Sequence, residues 1–88
     1  MKIVLSEHAR RRMKERNISY IQVYSALLQP DKVEVDKTNP GRFLAKKVYA
    51  INKAVRKHLL LVFYELYPEL DRAEVITVVS TSKISKYF

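Results

Sequence analysis

The chain has no cysteine, one glycine, and only 9 acidic residues against 17 lysines and arginines. Without cysteine, neither a disulfide framework nor a thiolate metal site can hold the fold together. A lone Gly41 excludes the phosphate-cradling loop and the dinucleotide-binding fingerprint, both of which need several glycines. The two histidines, His8 and His58, stand fifty residues apart with no acidic cluster beside them, so no zinc or two-metal site is expected. No G-x-S-x-G setting for a nucleophilic serine occurs either. No apolar run approaches membrane-spanning length, and the opening MKIVLSEHARRR is too short in apolar residues for a signal peptide. The expectation is a cytoplasmic protein that works without metal, cofactor or membrane.

The shortage of acid leaves a net charge of +8 on 88 residues, and the charge is uneven. Residues 1–16 carry six basic and two acidic side chains. Residues 42–58 carry Arg42, Lys46, Lys47, Lys53, Arg56 and Lys57 with no acid at all, whereas acids gather in 31–36 and 65–74. Clustered basic charge is the footprint of a polyanionic partner such as RNA, DNA or an acidic protein. A surface that merely keeps the protein in solution is the competing reading.

Eighty-eight residues support one domain, 1–88, that buries roughly 60–65% of its unfolded surface. Lys2–Leu5 reads as a short strand, and Ser6 as the N-cap of a helix running to about Arg16. His8, Arg12 and Arg16 fall on one stripe bordering its narrow Ala9–Met13 seam, while Arg11 stands between Glu7 and Glu15 at i,i+4. Ser19-Tyr-Ile-Gln22 is a capping box, and Tyr20, Ile21, Val23, Tyr24, Leu27 and Leu28 form a wide apolar stripe ending before Pro30. From Lys32 the period becomes two: a strand at Val33–Val35, a turn at Lys37–Gly41, and a longer strand from Arg42 to about Ile51. Lys53–Lys57 reads as a charged hairpin loop. Leu59–Tyr67 is apolar on both faces, as a central strand would be, and Val75–Val79 forms the last strand. The fold class is α+β, with two N-terminal helices on one face of an antiparallel sheet of four to five strands.

Two motifs bracket this order. The opening H-A-R-R-R-M-K-E-R, residues 8–16, resembles the H-A-x-x-R-M-x-x-R signature of a family of small bacterial and archaeal domains of unknown function. The ending T-S-K-I-S-K-Y, residues 81–87, is similar to that family's closing T-S-K-I-x-K-Y. The family in turn looks distantly like the RelE/ParE/BrnT superfamily of toxins from toxin–antitoxin operons. That resemblance implies a RelE-like fold and RNA cleavage by basic side chains and a tyrosine, without metal. Carried over by position, its motif residues are His8, Arg12, Arg16, Lys83 and Tyr87. The RNA-cleaving toxins usually place their basic residues along the sheet and the C-terminal end, whereas here the histidine and arginines lie on the first helix.

Metal-free RNA cleavage needs a base for the 2′-hydroxyl, cationic donors for the phosphorane and an acid for the leaving oxygen. Histidine suits either proton-transfer role, and arginine offers paired donors matched to phosphate oxygens. His8, Arg12, Lys83 and Tyr87 are accordingly the candidate catalytic residues, expected to meet in one cleft. Arg16, Arg42, Lys46 and Lys47 are candidates for holding the nucleic-acid backbone. Against this, a histidine near a helix start is more often a structural hydrogen-bonder. Arg12 and Arg16 could equally tie the helix to the chain end or to Glu65. Two functions stay open: a toxin-like endoribonuclease acting on RNA, at the ribosome or free, and held in check by an acidic antitoxin; or a non-catalytic basic module that binds nucleic acid or an acidic protein. The doubly apolar Leu59–Leu66 strand also raises the expectation of a homodimer.

Overall fold

Two serines start the two long helices. In the computed structural model, which describes residues 1–50 and 57–88, Ser6 accepts a hydrogen bond from the Ala9 N–H and opens α1, Glu7–Arg16. Ser19 and Gln22 satisfy each other's main chain in a capping box that opens α2, Tyr20–Leu28. Between the helices Asn17 takes left-handed backbone at φ 55°, a conformation its short polar side chain tolerates, and the chain turns there.

Five strands form one sheet: β1 Lys2–Leu5, β2 Lys32–Val35, β3 Arg42–Ala50, β4 Lys57–Tyr67 and β5 Arg72–Thr81, in the order β1-β5-β4-β3-β2. β2 to β5 run as an antiparallel meander, but β1 pairs parallel with β5, setting Leu5 beside Val75. The fold is thus α+β with a mixed sheet, not the wholly antiparallel one expected. No hairpin links β1 to its neighbour, so nothing local dictates its direction. A one-turn helix, α3 (Ile84–Tyr87), follows β5 where only a trailing end was expected. The expected end of β3 at Ile51 and the loop residues Lys53 and Arg56 lie outside the described residues, and Lys57 already belongs to β4.

Alternation divides the sheet into two faces. Ala45, Leu60, Val62, Tyr64, Val75 and Val78 bury together with Ala9 and Met13 of α1 and with Val23 and Ala26 of α2. On the other face lie Leu44, Lys46, Leu61 and Phe63, and α3 packs there on β4. β4 is central, and Leu59 and Leu61 on this face are only 0% and 6% exposed. The apolar stripe of α2 is wider than the face that meets the sheet, leaving Ile21 78% and Leu28 62% exposed. Among the described residues no helix is long and apolar enough to cross a membrane.

Candidate functional site

The position of α1 is set at its start. The Ser6 N–H donates to the Val75 carbonyl at 3.0 Å, and its hydroxyl donates to the Ile76 carbonyl at 2.8 Å. One serine therefore both caps the helix and pins it on β5. Ten residues later the helix ends, and Arg16 and Asn17 meet the ends of β3, β4 and β5. A cavity of about 320 Å³ lies there, lined by Arg16, Asn17, Gln22, Tyr49, His58 and Ser80.

Three strands supply the three central side chains. Tyr49 on β3 is directly opposite His58 on β4, and Ser80 on β5 is opposite Leu60, one step along the same face. The Tyr49 Oη and Ser80 Oγ atoms are 2.8 Å apart, and Ser80 Oγ is 3.4 Å from His58 Nδ1. The tyrosine and imidazole rings stand tilted with centroids 6.1 Å apart. A hydroxyl both donates and accepts, so Ser80 can carry protons in either direction between phenol and imidazole. If His58 Nδ1–H donates to Ser80, Ser80 donates to Tyr49 and the imidazole Nε2 is left as a base. If Tyr49 donates to Ser80, Ser80 donates to Nδ1 and Nε2 carries the proton. Arg16 is exposed at the rim and has no carboxylate partner among the described residues, so its guanidinium remains available to an anion.

The expected cleft of His8, Arg12, Lys83 and Tyr87 does not form. His8 and Arg12 are on α1, exposed and half-buried respectively, with the Arg12 Nε enclosed and lacking an acceptor. Tyr87 is on α3, across the sheet, where it lines a separate cavity of about 580 Å³ with Leu44, Leu61, Phe63 and Val79. Two faces of one sheet cannot meet on one phosphate. Lys83 is exposed at the start of α3, its N–H donating to Thr81 Oγ1 at 3.1 Å. Of the motif residues on α1, Arg16 alone reaches the polar cavity, two helical turns beyond His8.

The three basic residues of β3 also serve other ends than the track expected of them. The Lys46 side chain is 6% exposed, and its Nζ donates to the Tyr87 and Phe88 main-chain oxygens at 2.7 and 3.3 Å while pairing with Glu34 at 2.9 Å. Lys47 Nζ donates to the Gln29 carbonyl at 2.8 Å, joining β3 to the end of α2. Arg42 pairs with Glu65 at 3.0 Å. These partners hold the carboxyls of Glu34 and Glu65 below the usual carboxylate range, through the Lys46 hydrogen bond for the first and through Arg42 and then Tyr67 for the second.

Sequence reasoning missed Tyr49, His58 and Ser80 as a set. Alternation in β3 puts Tyr49 on the helix-side face, but its meeting with His58 depends on the β3–β4 register and that with Ser80 on β4–β5. Among the described residues no group of histidine and acidic side chains is placed to hold a metal.

A family model described as a domain of unknown function (DUF4258) matches residues 5–80. The matched stretch holds every residue of the polar cavity and stops short of Lys83 and Tyr87. No curated protein and no solved structure matches the chain.

Proposed function

From the premise that the chain belongs to the DUF4258 family, whose function is unknown, we propose that it cleaves RNA without metal at the cavity shared by Arg16, Tyr49, His58 and Ser80. The observation that carries this reading is the hydrogen-bonded chain from Tyr49 through Ser80 to His58, opening beside Arg16, which has no carboxylate partner among the described residues. The reaction is internal transesterification. His58 takes the proton of a ribose 2′-hydroxyl, whose oxygen attacks the adjacent phosphorus as the bond to the 5′-oxygen breaks. Arg16 binds the phosphate oxygens as charge builds on them. The leaving 5′-oxygen takes a proton from the Tyr49–Ser80 end of the chain. The products are a 2′,3′-cyclic phosphate and a 5′-hydroxyl. His8, exposed on the same stripe of α1 as Arg16, gives a flanking phosphate a place to rest.

In this reading the protein is a RelE-like toxin of the cytoplasm, acting on free or ribosome-held RNA and neutralised by an acidic partner drawn to its +8 charge. A non-catalytic nucleic-acid-binding module is the second reading, favoured by the exposed basic side chains Arg10, Arg11, Lys14 and Arg16 of α1. Purified protein incubated with end-labelled RNA in EDTA, with and without translating ribosomes, separates the two. Cleavage leaving 2′,3′-cyclic phosphate ends supports the enzyme. Salt-sensitive binding with intact RNA under both conditions overturns it in favour of the module.

A further inference from the structure

Among the described residues β2 is the last strand of the sheet and pairs only with β3. The Asp36 N–H donates to the Arg42 carbonyl at 2.9 Å, directly across the ladder, and hydrogen-bonded pairs alternate along antiparallel strands. The main-chain groups of Lys32 and Glu34 therefore turn to β3, and those of Val33 and Val35 turn outward. Val33 and Val35 are also 45% and 61% exposed as side chains. Natural sheets blunt such an edge with short strands, proline and charge, and β2 is only four residues long and follows Pro30. Its charge is of both signs, Lys32 and Glu34, side by side on the opposite face at 3.6 Å.

We infer that β2 pairs antiparallel with β2 of a second copy of this chain, about a twofold axis through Val33, joining two five-stranded sheets into one. The sequence Lys32-Val33-Glu34 is its own complement in that arrangement. With Val33 opposite Val33 of the second copy, the two exchange both hydrogen bonds, and each Lys32 lies opposite a Glu34. Sliding by two residues one way sets Glu34 against Glu34, and the other way sets Lys32 against Lys32. Like charges directly opposite destabilise a strand pair, and opposite charges stabilise it, so one register is selected.

Sedimentation of the full chain across a range of roughly micromolar to millimolar concentration tests this. The mass should rise from 10.4 kDa towards twice that value, and the Val33 and Val35 amide protons should gain exchange protection as concentration rises. Val33→Pro deletes only an outward-facing N–H, so its circular dichroism and melting should match wild type while it stays monomeric. Lys32→Glu places Glu against Glu in the selected register and should weaken association at least tenfold. A wild type monomeric throughout would overturn the inference. So would a dimer that Val33→Pro and Lys32→Glu leave intact, which would assign association to another surface, such as the exposed Ile21 and Leu28 of α2.

Discussion

Lys46 shows how far one side chain's surroundings decide its role. Its charge belongs to a basic run that reads as a nucleic-acid track, yet the ammonium is enclosed and each of its donors has an acceptor, in Glu34, Tyr87 and Phe88. Removing it strands those acceptors under α3, and an unsatisfied buried group costs about 1–3 kcal/mol. Lys46→Met should therefore lower stability by about that much, measured by urea unfolding, while RNA binding changes little once folding is restored by low temperature. Asp36 is a smaller case of the same logic. Hydrogen bonds from the Thr38 hydroxyl, the Thr38 N–H and the Asn39 amide hold its carboxyl down at about 2. The unfolded chain binds the proton more tightly than the folded one, so this contribution is present above about pH 4 and lost as pH falls toward 2. Glu34 and Glu65, both also lowered, add to the decline. Unfolding curves between pH 6 and pH 2 should show it, and Asp36→Asn should flatten its lower end.

Among the elements, α1 matters most because it carries Arg16 to the cavity. Ser6 holds it twice, through the Ala9 N–H and the Ile76 carbonyl. Ser6→Ala should destabilise the protein by about 1–2 kcal/mol by thermal or chemical unfolding, at the upper end for a cap because a second bond is lost as well. The caps at Ser6 and Ser19 and the stop at Asn17 were legible in the sequence, since each depends on residues within three or four positions. The alternation of Phe43, Ala45, Lys47 and Tyr49 on one face was legible for the same reason. The parallel pairing of β1 was not, because its partner lies 70 residues away (Lys2 beside Arg72). Nor was the site: Ser80 meets His58 across 22 residues and Tyr49 across 31, and only the register of three strands brings them together. The apolar stripe of α2 was legible, but not which of its residues a neighbour covers, because periodicity reports hydrophobic residues and not their surroundings.

At the scale of the molecule, the sheet is a divider. It keeps His8, Arg12 and Arg16 on the side of α1 and Tyr87 on the side of α3, so the two motifs that bracket the chain do not make one site. On the helix side the ends of β3, β4 and β5 gather an imidazole, a serine and a phenol beside Arg16, and on the other side α3 is held by Lys46. The proposed chemistry rests on His58 rather than His8, and this is what an experiment should ask first. Cleavage of labelled RNA in EDTA should be compared for wild type, His58→Ala and His8→Ala, with ribosomes added where free RNA is not cut. Loss of a general base lowers rate by about 10²–10⁴-fold, so His58→Ala should fall by at least a hundredfold while His8→Ala stays within a few-fold of wild type. The reverse pattern, activity lost with His8 and kept without His58, would contradict the account and return the site to the first helix.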